Sequence, residues 1–316
     1  MKDNLFTEVI IPESKDKINH KQNIMLIGSC FTDEIGNKFS QNGFNTLRNP
    51  FGILYNPLSI AVCLDKITQN TFLADDDLIK VDEYYYAFSC HGDYRAKDKE
   101  SCLSQINKSI EESHNFLKNC DYLILTLGSA WTYWYKPLNY LMGNCHKVDS
   151  KCIDRRLISP KDISTALFEA ISNIKAKINP NIKVILTLSP IRHWREGWHD
   201  NMLSKSTLYL AIEELREKAS CIYFPSYEIV MDELRDYRFY TQDLLHVNET
   251  TVNYIWEKFS ATFFSKPTQE LNKQFYKLFT MQNHRPLNPD TQNYKLHLEK
   301  TALLKQQLQQ ETSKLL

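Results

Sequence analysis

Short apolar runs alternate with longer stretches of helical periodicity along most of the chain. Bounded apolar runs of this kind are typical of strands buried on both faces of a parallel sheet. The helical stretch 159–180 starts with Ser159 as a candidate N-cap and Pro160 in its first turn, and a second helical stretch covers 202–218. Strands that alternate with helices predict parallel β-α-β units and a doubly wound sheet of about five strands. The predicted strands cover residues 23–28, 43–47, 121–128, 182–189 and 220–225.

Two regions depart from this alternation. The run VDEYYYAFSCHGDYR, residues 81–95, is rich in aromatic residues and predicts an inserted strand or loop. From residue 265 the chain is rich in Gln, Lys and Leu, and Pro286 and Pro289 interrupt its helical pattern. We therefore expect an α/β domain over 1–264 and a helical C-terminal extension over 265–316 that packs on its own chain.

Composition and charge exclude several classes of protein. Apolar residues make up 42% of the 316 residues, which excludes a disordered chain. The 38 acidic and 38 basic side chains give a formal net charge of zero, so no general affinity for nucleic acid or anionic membranes is expected. Apolar runs are too short to span a bilayer and the N-terminus lacks the pattern of a signal peptide, which favours a cytoplasmic protein. The oligomeric state stays open.

Eight cysteines are expected to be reduced thiols, because the chain is long and shows no export signal. Cys145, His146 and Cys152 lie close together in sequence, but their spacing matches no standard zinc pattern. We expect no metal and no organic cofactor.

Chemically distinctive residues follow all five predicted strands. In open α/β sheets, ligands bind outside the carboxyl ends of the strands. Gly, Pro, polar or aromatic residues occupy every one of these exits, so an active site is predicted at this edge. The exit segments are residues 28–34, 48–57, 128–134, 189–199 and 225–248.

Candidate reactive residues lie in the first and last of these segments. Ser29 and Cys30 are adjacent after the first strand, and either is a candidate nucleophile. Asp243 and His246 are three residues apart, so on a helical turn they share a face. A carboxylate beside a histidine fixes the imidazole tautomer and stabilises the protonated ring. The alternative is a solvated surface pair.

Cys30 would also lie at the start of a helix, where the helix dipole lowers the pKa of a thiol. The alternative is a small buried side chain that only fills space.

Other polar and aromatic residues at the exits are candidates for substrate binding. Arg192 and His193 suit a carboxylate or phosphate group, and a structural ion pair is the alternative. His146 has the same two interpretations. Aromatic side chains at a strand exit can stack on a sugar, although core packing is the usual role. The tryptophans in question are Trp131, Trp134, Trp194 and Trp198.

Several motifs together resemble the GSCFA family, which is usually grouped with the SGNH/GDSL hydrolases. The resemblance covers roughly residues 22 to 260. It implies a three-layer α/β/α, flavodoxin-like fold with a parallel sheet of about five strands. The matching segments are GSCFT (28–32), NPFGILYNP (49–57), TLGSAW (126–131), NCHK (144–147), SPIRH (189–193), FPSYEI (224–229), DELRDYRFY (232–240) and DLLH (243–246).

The SGNH pattern, laid on this sequence, implies a nucleophile and a base. It places Cys30 on the nucleophilic serine and leaves Ser29 as a helix cap. It places the final Asp-x-x-His on Asp243 and His246. The implied activity is that of an acyl-ester hydrolase or acyltransferase, with an O-acylated carbohydrate or other small-molecule ester as substrate.

The same pattern assigns the oxyanion donors. They would be the N–H groups of Cys30 and Gly52, together with an asparagine after the third strand. Ala130 stands where that asparagine is expected, so Asn49 or Asn144 would have to supply the amide. This departure supports the alternative of a binding or scaffold protein that keeps the fold without turnover.

Overall fold

The computed structural model describes residues 7–193 and 197–314. Its strands are β1 (Asn23–Gly28), β2 (Asn45–Arg48), β3 (Leu78–Val81), β4 (Tyr84–Ala87), β5 (Arg95–Ala96), β6 (Tyr122–Leu127), β7 (Trp131–Tyr135), β8 (Tyr140–Met142), β9 (Ile153–Leu157), β10 (Lys183–Leu188) and β11 (Ile222–Phe224). Its helices are α1 (Cys30–Gln41), α2 (Pro57–Gln69), α3 (Lys99–Leu117), α4 (Pro160–Lys177), α5 (Trp198–Ala219), α6 (Ser226–Glu228, continued by a π-helical segment, Ile229–Leu234), α7 (Glu249–Phe263), α8 (Lys266–Gln282) and α9 (Gln292–Ser313).

Five parallel strands form the main sheet in the order β11-β10-β6-β1-β2. Numbered along the chain, this is the doubly wound order 2-1-3-4-5, so the predicted fold class is confirmed. The order reverses between β1 and β6, where Leu26 lies opposite Ile124. Ligands in such folds bind outside the carboxyl ends of the strands at this reversal. Cys30, which follows β1, lies at that point.

Alternating side chains of each strand serve two separate cores. Met25 and Ile27 point into the core formed with α2, α3, α4 and α5. Ile24 and Leu26 point into the opposite core, formed with α1 and α7. Because both faces are covered, the central strands β1, β6 and β10 are apolar at nearly every position, which explains the continuous apolar runs in the sequence. The edge strand β2 is more polar and is partly exposed.

Two small antiparallel sheets are added to this framework. The inserted segment 81–95 contributes to the sheet β3-β4-β5, in agreement with the predicted strand. The second sheet, β8-β7-β9, was not predicted, because its aromatic strand β7 was interpreted as a strand exit. Arg155 stacks on Trp131 at 3.4 Å and Arg156 stacks on Trp134 at 4.6 Å, so arginines cover both rings. Trp194 lies outside the described residues.

The C-terminal region is helical, as predicted. Ser265 caps α8 through its hydroxyl, and the pair α8–α9 has a small core of Leu271, Leu278 and Leu308. Phe275 of α8 stacks on His20 at 4.9 Å, so the region packs on its own chain. The boundary at residue 264 stays a prediction.

Two further observations concern the whole described chain. Within residues 7–193 and 197–314, every helix is too short or too polar to cross a membrane. All eight cysteines are free thiols, as expected, and only Cys30, Cys145 and Cys152 are partly accessible.

Candidate functional site

Ser29 and Cys30 occupy the turn between β1 and α1. Ser29 is the N-cap residue, as predicted, but its side chain caps no backbone N–H. Its hydroxyl instead donates to the Ser189 hydroxyl at 3.0 Å. This buried bond ties the exit of β1 to the exit of β10, so Ser29 fixes the turn that carries Cys30.

Cys30 is half-buried at the first position of α1. Burial raises the pKa of its thiol above the ordinary value; the N–H groups of Cys30 and Phe31 lower it, and the carboxylates of Asp33 and Glu34 raise it. The expectation that the helix start lowers this pKa is therefore wrong in its net direction. Desolvation of the thiolate outweighs the backbone N–H groups. The thiol needs a base or a counter-charge before it can act as a nucleophile.

Asn49 connects the β1 exit to the first turn of α1. Its side-chain oxygen accepts the N–H of Gly28 at 2.9 Å, and its amide nitrogen donates to Asp33 at 2.8 Å. The N–H of Gly52 donates to the Asn49 carbonyl at 2.7 Å. The Gly52 N–H is therefore engaged within the protein and would have to exchange its present partner to bind an oxyanion, whereas the Asn49 amide uses one of its two N–H groups on Asp33.

Asp243 and His246 form a close pair in a turn rather than on a helix. His246 Nδ1 lies 2.6 Å from Asp243 Oδ2. Asp243 Oδ1 also accepts the Thr241 hydroxyl at 2.6 Å and the N–H of Leu245 at 2.8 Å. Hydrogen bonds from Thr241, His246 and Leu245 hold the pKa of Asp243 well below its usual range. The carboxylate is thus ionised and fixes the histidine tautomer, although both side chains are exposed.

The Asp243–His246 turn lies at the same edge of the sheet as the exit of β10. The N–H of Arg192 donates to the carbonyl of Leu245 at 3.3 Å, which joins the two segments. Among the described residues, no hydrogen bond connects the Cys30 thiol to the His246 ring. The structure therefore brings together Asp243 and His246, and it does not bring His246 into hydrogen-bond contact with Cys30.

Asn144 and His146 are placed in the long β8–β9 connection. Asn144 accepts the N–H of His146 at 3.4 Å and so supports a turn. His146 is buried against Tyr86, and its Nε2 lies 3.5 Å from the Phe88 carbonyl. Burial lowers the pKa of His146 to about 4, so the ring is neutral near neutral pH. No hydrogen bond or ring contact in the described part of the chain links these two residues to Cys30.

Arg192 stands in an aromatic pocket beside the turn. Its guanidinium lies 4.4 Å from the ring centre of Trp198, 5.8 Å from that of Tyr237 and 5.7 Å from that of Tyr240. The cavity has a volume of about 420 Å³ and is also lined by Asn201. Over residues 7–193 and 197–314, no ion pair or hydrogen bond engages this guanidinium, so its donors face the cavity and solvent.

His193 follows Arg192 and points to a different neighbour. Its N–H donates to Asn201 at 2.9 Å, and its ring lies 6.1 Å from that of Tyr55. The carbonyl of Tyr55 accepts the N–H groups of Gly128 and Ser129, at the exit of β6. His193 therefore lies between the exits of β6 and β10.

Lys205 was missed by sequence reasoning. It is 2% exposed, and its ammonium group donates to the carbonyls of Gly128 and Ser189, both at 2.8 Å. Burial lowers its pKa to about 7, while the nearby Cys30 raises it. A signal was present in the sequence: Lys205 shares the apolar face of its helix with Leu208 and Ile212, at spacings of three and four residues.

A known protein family matches most of the chain. The model of the GSCFA family matches residues 23–259, which takes in all five strands of the main sheet and both Cys30 and His246. The chain belongs to the GSCFA family. In this GSCFA protein the matched region ends within α7, so α8 and α9 lie outside it. No curated protein matches the sequence.

Apart from the residues left undescribed, no cluster of three or more His, Cys, Asp or Glu side chains has a geometry that could hold a metal ion.

Proposed function

We propose that this protein is an SGNH-like acyl-ester hydrolase or acyltransferase that uses Cys30, His246 and Asp243. The observation that supports the proposal is the 2.6 Å bond between Asp243 and His246 at the sheet edge where the half-buried Cys30 starts α1. An ionised carboxylate on Nδ1 leaves Nε2 as the proton acceptor, which is the role of the histidine in nucleophilic triads.

The reaction would proceed through a thioester. His246 takes the thiol proton, the Cys30 sulfur forms a bond to the ester carbonyl carbon, and the carbon–oxygen bond to the alcohol breaks. The protonated His246 returns that proton to the departing alcohol. Water or an acceptor hydroxyl then attacks the thioester, again with His246 as base, and frees the thiol.

Two features of the site set requirements for this reaction. The raised pKa of Cys30 means that proton removal has to occur with His246 in place. The exposed turn around residues 240–247 therefore has to approach Cys30 when substrate binds, since apo geometries often tighten in the complex. The oxyanion would be held by the Cys30 N–H, together with the second N–H of the Asn49 amide, or with the Gly52 N–H after release of its present bond.

The aromatic pocket of Arg192 supports a substrate with an anionic group. A guanidinium that presents unused donors beside a cavity binds carboxylate or phosphate through two parallel hydrogen bonds. Tyr237, an exposed aromatic side chain of the same pocket, provides a flat apolar surface for the ring of a carbohydrate. We therefore expect a small-molecule or carbohydrate ester that carries a negative charge.

Esterase assays test the first part of the proposal. We expect wild type to hydrolyse p-nitrophenyl acetate, Cys30→Ala to lose this turnover, and His246→Gln to slow it by about 100-fold or more. Cys152→Ser removes another partly accessible thiol and is the matched control, with no expected effect. A wild type without turnover, in which Cys30 is alkylated no faster than Cys152, would contradict the proposal.

A pair of esters tests the role of Arg192. p-Nitrophenyl butyrate and mono-p-nitrophenyl succinate differ mainly by a terminal carboxylate. We expect wild type to prefer the succinate ester in kcat/KM, and Arg192→Met to lose about 10-fold to 100-fold of that preference. An unchanged ratio in Arg192→Met would exclude Arg192 as the anion-binding group, whereas both esters falling together would indicate a structural role.

The alternative is a non-catalytic binding protein with the same fold. It is favoured by Ala130 at the position where the SGNH pattern has an asparagine, and by the raised pKa of Cys30. Under this alternative, succinate would still bind at Arg192 and be detected by calorimetry, although the ester assays would show no turnover.

A further inference from the structure

A second cavity, of about 500 Å³, lies between the helices α1, α7 and α8. Cys30, Asp243 and His246 do not line it, so it is separate from the candidate catalytic site. Residues three and four positions apart lie on one face of a helix, and the cavity is lined by such a set from α7 and another from α8. The two sets include Asn253, Trp256 and Ser260 of α7, and Gln269, Asn272 and Tyr276 of α8.

Asn272 lies in the middle of the α8 face and is 4% exposed. Neither its amide nitrogen nor its amide oxygen has a hydrogen-bond partner within residues 7–193 and 197–314, and both atoms are shielded from solvent. Burying an unpaired amide destabilises a folded protein, and a leucine of similar size would avoid that cost. The fold therefore gains nothing from this amide, whereas a ligand in the cavity would use both its donor and its acceptor.

Lys38 brings a cation to the same cavity from α1. Its side chain is 9% exposed, and no ion pair or hydrogen bond in the described part of the chain engages its ammonium group. Lys273 of α8 pairs instead with Glu270 at 2.7 Å, and Glu257, the carboxylate of the cavity wall, is exposed to solvent. Because water screens a buried charge less than an exposed one, Lys38 dominates the field in the cavity and favours an anionic group.

Trp256 gives the cavity a flat apolar wall. Its ring is partly exposed, and Phe39 and Phe264 meet it edge-on at 4.9 Å and 5.4 Å between ring centres. These two contacts fix the orientation of the indole, so a planar group in the cavity finds a rigid surface to pack on.

We propose that this cavity binds a small planar molecule that carries both an amide-like edge and an anionic group. The edge exchanges two hydrogen bonds with the Asn272 amide, the anionic group accepts from Lys38, and the ring packs on Trp256. Because the Asn272 amide is shielded, binding requires a side-chain rotamer change in the cavity wall, which is common when partners bind. Aromatic amides and the bases of nucleotides share this chemistry. The inference does not depend on Cys30 or on ester hydrolysis.

Ligand-observed NMR titrations of the full-length protein test the ligand chemistry. The probes are 3-carboxybenzamide and 4-carboxybenzamide, which carry both groups, and benzamide, which lacks the carboxylate. We expect at least one carboxybenzamide to bind with a Kd of about 1 mM or tighter, and benzamide to bind about 10-fold more weakly. AMP presents the same groups on a larger scaffold, and a Kd below those of the carboxybenzamides would assign the ligand to nucleotides.

Two variants separate the contacts. Lys38→Met should weaken carboxybenzamide binding about 10-fold and leave benzamide unchanged. Lys277→Met removes an exposed lysine of α8 that does not line the cavity, so it is the matched control with no expected effect. Asn272→Leu should abolish the binding of both compounds and raise the melting temperature by about 2 °C, because it removes the unpaired amide.

Three results would overturn the inference. The first is a wild type that binds neither carboxybenzamide nor AMP up to about 10 mM. The second is a lower melting temperature in Asn272→Leu, since the amide would then serve the fold. The third is an equal loss of benzamide and carboxybenzamide binding in Lys38→Met, which would show that Lys38 does not hold the anionic group. Esterase turnover enters none of these measurements, so they stand whether or not the proposed function holds.

Discussion

Asn49 offers a quantitative test of how the candidate site is held in place. It is 8% exposed and has a positive φ of 40°, a conformation that asparagine tolerates better than most residues. Its side chain accepts the buried N–H of Gly28 at 2.9 Å and donates to Asp33 at 2.8 Å. Replacement by alanine removes both bonds and leaves the Gly28 N–H without a partner.

The expected cost follows from these contacts. An unsatisfied buried N–H costs about 1–3 kcal/mol. Alanine at a left-handed position adds about 1 kcal/mol relative to residues that favour it. The bond to Asp33 is partly accessible to solvent and contributes less. We therefore expect Asn49→Ala to lower the free energy of unfolding by about 3 kcal/mol.

Urea denaturation of matched variants measures this loss of stability and separates the backbone contribution from that of the contact with Asp33. Asn49→Gly removes the same side chain but adopts the positive φ freely, so it should be about 1 kcal/mol more stable than Asn49→Ala. Asn49→Asp keeps an acceptor for the Gly28 N–H but places a second carboxylate beside that of Asp33, and their repulsion should destabilise the protein. Adding Asp33→Asn to this variant restores a hydrogen bond with donor and acceptor reversed. It should recover at least half of the stability that Asn49→Asp alone loses.

The reasoning would be refuted by a loss below about 1 kcal/mol in Asn49→Ala, since the structure leaves no other partner for the buried N–H. It would also be refuted if Asp33→Asn failed to rescue Asn49→Asp. In that case the Asn49–Asp33 contact would not contribute to stability.

Three further predictions concern neighbouring features. Gly28→Ala should destabilise the protein strongly, as measured by urea denaturation, because a Cβ there would overlap the Thr126 carbonyl oxygen; a stability equal to wild type would contradict this. The pKa of His20 is lowered by burial from 6.5 to about 4, so unfolding takes up protons and stability should fall as the pH drops from 6.5 towards 4, by up to about 3 kcal/mol. His20→Phe should reduce this loss of stability at low pH, although His146, whose pKa is lowered to a similar value, should still contribute to it. An unchanged dependence of stability on pH would exclude His20 as a source of the loss. Asp243→Asn should reduce esterase turnover about 100-fold or more with little change in melting temperature, since the side chain is exposed; equal turnover would remove Asp243 from the mechanism.

The sequence by itself determined the main sheet and placed the candidate residues after its strands. The apolar runs and the helical periodicity are local properties, and both faces of the central strands are covered, so the five strands were found within a few residues. The pairing of Asp243 with His246 could also be predicted from the sequence, because side chains three positions apart can meet through local backbone geometry alone. The start of α1 at Cys30 followed from the strand end at Gly28.

Only the tertiary structure decided what surrounds Cys30. The partner of Ser29 is 160 positions away in the chain, and the carbonyl of Gly128 that binds Lys205 is 77 positions from it. Hydrogen bonds over such separations depend on which strands are neighbours, and periodicity does not specify this. The net pKa of Cys30 also depends on burial, which arises only in the folded chain. The sheet β8-β7-β9 was missed for another reason: Tyr135 of β7 pairs with the nearby residues Tyr140 and Ile153, but the aromatic run of β7 was interpreted as a strand exit rather than as a strand.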